Sequence, residues 1–475
     1  MAAGTFYVEP PGGGGAGSGT EESPWNGFSS VLWGTAAGAV GPGATLLVAP
    51  GTYAGAGETM VVGANGTSWA TPIVIRGFSS DPALWPVIDG EDARDRLIDT
   101  DNKNFIHLRY VHVMRTFLTG SVGIGIFVDG NDTLLEDFKV SDCDHFGVET
   151  DETRGVGLFS AARTRIRRGT IRDVRQDGIG IGNSCADVWI DDVDIDRVDL
   201  RNLNGDCIGF DAGGLGNGMF AVTRSRLVKQ NGSKQCLVSA SDGTVLLARN
   251  LFLSPEGNNM GVLLNDGALV RVVGNTFSGF SDRALRFDGE SAPITQSYVS
   301  GNLFTDMMAP FAECVSLNDG GTHVVSHNTF LHSQKGIAIG QNEAKNGCTA
   351  TIAGNIFFGI EDMYVEVFTD TATAHTLTFQ GDNYGDGDKV GGWRHGTALD
   401  TVAAWAAASG ETGHTATDPL VDALGNLAPS SPARGAATWV AGLRGHDDLP
   451  LPLHPDIGAV QDRSAPGRRH GVGSA

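Results

Sequence analysis

The chain lacks most of the features that would place it in a protein class at once. Its six cysteines (Cys143, Cys185, Cys207, Cys236, Cys314, Cys348) contain no CxxC pair in 475 residues, so no dense disulfide framework holds it together. No apolar run reaches the roughly 18 residues that a membrane span needs. Basic residues are in the minority, 33 against 55 acidic, for a net charge of -22. A phosphate backbone or anionic membrane is repelled by such a surface, which argues against nucleic acid as a partner. A neutral glycan remains compatible, as does an acidic one held by local Arg, Lys or a bound cation. The 12 histidines form no HExxH or comparable spacing, and zinc is not supported. The run from Gly12 to Gly19 is followed by no GK[ST], so it reads as a flexible loop and not as a phosphate cradle.

The start, MAAGTFYVEPPGGGG, has neither the basic nor the apolar region of a secretory signal. With no purification tag at the far end, Met1 to Ala475 is expected to be a complete natural frame. Release by lysis, as for a phage-like particle, fits that expectation, with secretion as the alternative.

What the chain has in excess is glycine, 68 residues or about twice the usual share, and an internal repeat. Six segments align: LLARNLFLS, RVVGNTFSG, YVSGNLFTD, VVSHNTFLH, TIAGNIFFG and TFQGDNYGD. Their asparagines are Asn250, Asn275, Asn302, Asn328, Asn355 and Asn383, at spacings of 25, 27, 26, 27 and 28 residues. One Asn per repeat, with an aromatic two residues later, is the signature of a side-chain ladder at a turn, where stacked amides satisfy backbone groups of the neighbouring coil. In the sixth segment the aromatic is displaced by one position. Phe252, Phe277, Phe304, Phe330 and Phe357 are expected to stack in the core.

Weaker copies run upstream in IHLRYVHVM, LLEDFKVSD, RIRRGTIRD, WIDDVDIDR and AVTRSRLVK, so about eleven coils are legible. A second short strand follows each ladder position: DGIGIGN, DCIGFDA, QCLVSAS, MGVLLND, RALRFDG, ECVSLND and KGIAIGQ. Alternate residues there are apolar or small, as a strand with one inward face requires, and each coil buries that face only by stacking on its neighbours. The fold expected is all-β, a single-stranded right-handed parallel β-helix. Residues 1–100 are expected to form an N-terminal cap and first coils, 101–386 the coils, and 387–475 a C-terminal capping segment in which ALDTVAAWAAASG reads as an amphipathic helix ending at Gly410.

The opening YVEPPGGG with APGTY, the GN-x-F coils, and the closing DPLV, SPARG and PDIGA together resemble the pectate-lyase-like superfamily of parallel β-helix proteins, from Thr5 to about Gln461. That resemblance implies polysaccharide lyases, polygalacturonase-like hydrolases, epimerases or bacteriophage tailspikes, with a polysaccharide lying in a lateral groove. It sets a fold and no reaction.

Aligning the second strands puts His145, Asp177, Asp206, Gln235, Met260, Arg283, Glu313 and Lys335 in one column. Asp177 and Asp206 fall on successive coils, at the roughly 5 Å spacing of paired strands. Two carboxylates so close cannot both ionise freely, which makes them the candidate acid/base pair; the competing reading is that each bonds a local amide before its strand. DGIGIG and GDCIGF resemble the Asp-bearing strands of polygalacturonase-type hydrolases, but the Gly-His-Gly and Arg-Ile-Lys segments of that family are absent.

A second column, Asp211, Asn265, Asp288 and Asn318, with Asp266, Glu290 and Asp319 beside it, offers oxygen ligands that could take Ca²⁺, as lyases of the superfamily do. Lys229, Lys234, Arg283 and Arg286 are the candidate bases, the competing reading being a solvated face. Asp211, Lys234, Asp288, Arg283 and Arg286 are taken as substrate-binding residues, with no resident cofactor otherwise. Cys207, Cys236 and Cys314 share a column of small residues and should point inward. For sugar stacking, Trp33, Trp69, Trp85 and Tyr110 near the front, or Tyr364, Trp393 and Trp405 near the back, are candidates.

Two functions follow from these readings. One is a recognition spike of a phage-like particle, a homotrimer bound to other particle proteins, that attaches to a bacterial surface or capsular glycan, with depolymerase activity on the same spike left open. The other is a free lyase or glycoside hydrolase acting on an acidic polysaccharide.

Overall fold

The computed structural model describes residues 4–433 except 13–16, 117–121, 144–151, 183, 200–204, 211–217, 231–234, 241–242, 257–259, 290–293, 341–346, 369–374, 386–390, 395–397, 400, 423–426 and 429. The alternation read from the sequence forms a right-handed parallel β-helix of about eleven coils. From Thr5–Glu9 to Gly391–Arg394 every strand pairing is parallel, and the antiparallel pairing of Gly391–Arg394 with Ala398–Leu399 breaks the series.

Each coil lays down strands on three faces. Strands Ala186–Asp191, Met219–Thr223 and Thr244–Ala248 belong to the first face. Arg226–Val228, Leu251–Leu253 and Thr276–Ser278 belong to the second. Asp177–Ile181, Ile208–Phe210 and Gln235–Ala240 belong to the third.

The corner between the first and second faces explains the GN-x-F motif. The residue before each ladder position has left-handed backbone: Arg224 (φ 51), Arg249 (φ 61), Gly274 (φ 65), Gly301 (φ 66), His327 (φ 56), Gly354 (φ 64) and Gly381 (φ 67). Glycine adopts that conformation without the steric cost a Cβ brings. The amide that follows then turns inward. Each Asn Oδ1 accepts from the backbone N–H of the preceding rung, as in Asn250 N to Asn275 Oδ1 at 2.9 Å, and also from its Nδ2 at 3.0 Å. Each Nδ2 donates in addition to a backbone carbonyl of the preceding coil, as Asn302 Nδ2 does to Val272 O at 2.8 Å. Every group that the bend would orphan is thus paired, which is the condition for burying it.

The last rung differs from the sequence expectation. Asn355 N and Nδ2 donate to Asp382 Oδ1 at 2.7 and 2.9 Å, so Asp382 and not Asn383 continues the ladder. Tyr384 therefore sits two residues past its rung like the phenylalanines before it, and the aromatic is not displaced. The rings stack in sequence: Phe252 on Phe277 at 4.8 Å, Phe277 on Phe304 at 4.9 Å, Phe304 on Phe330 at 5.0 Å, Phe330 on Phe357 at 4.8 Å and Phe357 on Tyr384 at 5.4 Å. Upstream the equivalent rungs are Val111, Phe138, Gly169 and Val193, so the earlier coils close this corner with apolar contacts.

Those coils are fastened instead by ion pairs between turns. Arg163 grips Asp132 through Nε and Nη2 at 2.8 and 2.6 Å, and Arg168 grips Asp137 at 2.7 Å through both nitrogens. Glu136, nearly inaccessible, receives His107 at 2.7 Å, Arg167 at 2.6 Å and Arg168 at 2.6 Å. Burial alone would raise its carboxyl, but these donors outweigh it and hold it down at about 2.

At the far end Val402–Ser409 is a helix capped by Thr401 Oγ1 on Ala404 N, and it ends at left-handed Gly410 as expected. Its Trp405 is fully buried against Phe379 and donates Nε1 to Glu411 Oε2 at 3.0 Å.

Candidate functional site

The column read from the second strands exists. Register pairs Ile179 with Ile208, Ile208 with Leu237, Val262 with Leu285 and Leu285 with Val315, which aligns Asp177, Asp206, Gln235, Met260, Arg283, Glu313 and Lys335 along the third face. Its first member is corrected: Arg154, not His145, pairs with Asp177, and His145 lies outside the described residues. The next residue in each strand turns inward. Cys207, Cys236, Ala284 and Cys314 are core residues, as expected. All six cysteines are buried and none is in a disulfide; burial pushes the Cys143 thiol up to about 11 and the Cys314 thiol up to about 12, so neither of those two is a nucleophile at neutral pH.

The two aspartates lie in successive coils, outside the core and recessed, each 8% exposed. Asp206 N donates to Asp177 Oδ1 at 2.9 Å, and Gln235 N to Asp206 Oδ1 at 2.9 Å. One oxygen of each carboxylate therefore bonds the next coil's amide, as turn aspartates before a strand do. The glycines of these strands make room for the column: a Cβ at Gly180 would fall 2.2 Å from Arg154 Cδ, and one at Gly209 3.2 Å from Asp177 Cγ. Both side chains thus lie flat across the glycine of the following coil, and Arg154 Nε stands 3.6 Å from Asp177 Oδ2.

Three rungs beyond Asp206, roughly 14 Å at about 4.8 Å per rung, the column becomes a chain of alternating charge. Arg283 Nε meets Glu313 Oε2 at 3.0 Å, and Lys335 Nζ meets Glu366 Oε2 at 2.5 Å. Glu313 went unassigned in the sequence reading although its letter stood in the column. It is 1% exposed, its Oε1 has no hydrogen-bond partner, and burial raises its carboxyl above the ordinary range despite Arg283 and Lys335. Burial, which a single sequence does not report, is what distinguishes it.

Of the substrate-binding candidates, Arg283, Arg286 and Asp288 come together on this face, with Arg286 Nη2 on Asp288 Oδ2 at 2.8 Å. Asp211 and Lys234 lie outside the described residues, as does Glu290. Lys229 is not on a solvated face: it is fully buried, with Nζ on Asp199 Oδ2 at 2.8 Å and on Gly205 O at 2.5 Å. Asp319 faces the interior, where His323 Nε2 stands 2.5 Å from its Oδ1 and Ser297 Oγ 2.8 Å from His323 Nδ1. That Ser-His-Asp relay is sealed from solvent and is a structural polar cluster. Among the described residues no three or more His, Cys, Asp or Glu side chains converge as a metal set. No described helix is long and apolar enough to cross a membrane.

Residues 124–374, more than half of the chain, match the family described as the right-handed β-helix region. The chain belongs to that family. No curated protein matches it in sequence. Among solved structures it is similar to XylC in complex with xylose, at 11% identity and a TM-score of 0.54, covering 88% of this chain and 87% of that one. It is also similar to the pectate lyase Pel9A, at 14% identity and a TM-score of 0.45 over 97% of each chain. A rhamnogalacturonan lyase aligns at 15% identity and a TM-score of 0.42, covering 69% of this chain and 82% of that one. At such identities the likeness concerns the family fold.

Proposed function

We propose that this β-helix binds a polysaccharide lengthwise along its third face, as a recognition spike on the surface of a phage-like particle that attaches to a bacterial surface or capsular glycan. The carrying observation is the column itself. From Arg154 to Lys335 eight successive coils set mostly charged or amide side chains in one straight lane, recessed in the third face with only Arg283 more than slightly exposed. A lane repeating at about 4.8 Å suits an extended polymer parallel to the axis. Recognition is favoured over cleavage because Asp177 and Asp206 each already bond a backbone amide. Homotrimer formation belongs to the same proposal. It is supported by the partly exposed Leu246, Leu269, Val273 and Val324 on the outer side of the first face.

The second reading is a depolymerase, and the observation in its favour is the buried Glu313, its carboxyl raised by burial, beside Arg283 and Lys335, since perturbed carboxyls cluster where acid/base chemistry is done. Calcium would enter here, for an acidic substrate.

The test is incubation of the full chain with bacterial capsular and algal polysaccharides, following binding, chain length and the ultraviolet absorbance of unsaturated ends. Binding alone supports the spike, shortening with new absorbance a lyase, and shortening without it a hydrolase. No binding to any of them refutes the proposal. D177N/D206N keeps the two acceptor oxygens, so the double variant should fold; cleavage that survives in it removes those aspartates as the reacting pair.

A further inference from the structure

On the first face, away from the charged lane, a cleft of about 210 Å³ opens between two tryptophans, Trp69 and Trp189. Both are large apolar side chains left in solvent, 45% and 40% exposed. They are 120 positions apart in sequence, and the β-helix brings them to one cleft. Trp69 stands edge-on to Phe105 at 6.0 Å. Trp189 donates Nε1 to Thr223 Oγ1 of the next coil at 3.4 Å, which lays the indole along the face above Ala221.

The floor between them is built from consecutive coils. Register carries Phe105 to Asp132, Arg163, Asp187 and Met219 as a single column, so the cleft follows the axis for about four rungs, on the order of 19 Å. In its middle Asp132 and Arg163 form their two-pronged pair, with the Arg163 side chain 56% exposed. Asp187 Oδ1 accepts Met219 N at 3.0 Å. Two arginines, Arg163 and Arg165, and two aspartates, Asp132 and Asp187, line the cleft, so its formal charge is zero in a protein of net charge -22.

An exposed aromatic face with fixed donors and acceptors beside it suits a ligand that is apolar on one side and rich in hydroxyls at its edge. The volume is below the roughly 300–1,000 Å³ of enclosed small-molecule pockets, as fits part of a chain lying in the open. We propose that the Trp69–Trp189 cleft is a separate binding site for an uncharged oligosaccharide. Sugar rings stack on the two indoles, and their hydroxyls bond the Asp132–Arg163 fork and Asp187. The inference rests on the polysaccharide reading above and adds a second, charge-neutral contact on a different face.

The experiment titrates the full chain with cellohexaose, xylohexaose, laminarihexaose and maltohexaose, and with polygalacturonate oligomers as the acidic comparison, by calorimetry and tryptophan fluorescence. Both tryptophans are exposed, so W69A and W189A should melt at the wild-type temperature. The expected result is binding of at least one neutral hexaose, quenched fluorescence, and affinity about tenfold weaker in each variant, the loss usual for an aromatic anchor. Wild-type affinity in both tryptophan variants, or no binding of any neutral hexaose, overturns the inference. Polymer binding retained in W69A/W189A while the cleft fails leaves the charged lane standing, whereas loss of all glycan binding by the wild-type chain removes both.

Discussion

Replacing Asp382 with Asn should stabilise the protein, increasingly so as pH rises. Asp382 occupies a rung that five asparagines occupy before it, fully buried, with Glu411 Oε1 accepting its backbone N–H at 3.1 Å. Burial, and then the neighbouring Glu411, raise its carboxyl well above the ordinary range, while Tyr384 Oη and Trp405 Nε1 donate to Glu411 Oε2 at 2.7 and 3.0 Å. In the unfolded chain Asp382 ionises near pH 3.9. Above that pH the folded state holds more protons than the unfolded state, so stability falls as pH rises until the folded pKa is passed. Each unit of upward shift costs about 1.4 kcal/mol in that range. Asparagine removes the cost and keeps the acceptor for Asn355. It also supplies an Nδ2 for Ile352 O, the carbonyl that the ladder geometry assigns to it, at about 1 kcal/mol. The expected gain is about 1 kcal/mol below pH 4, from that hydrogen bond alone, and grows by about 1.4 kcal/mol for each pH unit above it until the folded carboxyl ionises. Urea titration with hydrogen exchange of segment 376–384 near pH 4.5 and at pH 8 measures it. A variant that is less stable at both, or a difference unchanged between them, refutes a neutral Asp382 in the ladder.

Further outcomes are expected elsewhere in the solenoid. Arg249→Gly should stabilise by about 0.5–1 kcal/mol in denaturant titration, because Arg249 is exposed and holds the left-handed position that glycine takes in four later coils. Phe304→Ala, at the middle of the ring stack, should cost about 3–5 kcal/mol and expose the later coils to protease; native protease resistance would argue against a continuous stack. Glu136→Gln should lower the melting temperature at neutral pH by an amount reflecting up to about 3 kcal/mol. Since the folded carboxyl titrates at about 2, that difference should vanish as pH falls from about 4.5 to 2, and a constant difference would mean Glu136 is not the hub of those cations. If the first face carries a trimer contact, Leu246→Lys should convert the sedimenting species to monomer, and an unchanged monomeric wild type removes the trimer.

The coil repeat was legible because one amide and one ring per coil must align for either to be buried, and that constraint writes the same letters at each turn. Asp382 was misread because the asparagine letter was followed when the conserved feature is backbone: Gly381 marks the left-handed corner, and the next residue is the rung whatever its side chain. Asp177 through Lys335 were placed by the same periodicity. His145 was not, since residues 144–151 intervene before Arg154 enters the strand Glu152–Leu158. Trp189 was passed over because WIDDVDIDR alternates like any half-buried strand, and only the approach of Trp69 from four coils away makes its exposed ring a wall of something. The inward turn of Lys229 and Asp319 follows from packing between coils, which the pattern of a single coil does not encode.

The Asn ladder also has a polarity. Every side-chain oxygen from Asn250 to Asn355 accepts only from the preceding coil, while every Nδ2 gives one hydrogen back to that coil and the other forward to the next rung, so the five amide dipoles add head to tail as peptide dipoles do along a helix. Their positive end meets Asp382 and Glu411. Those two carboxyl groups are therefore the natural terminus of the stack, and the C-terminal segment that brings Glu411 into place completes an electrostatic circuit begun more than a hundred residues earlier.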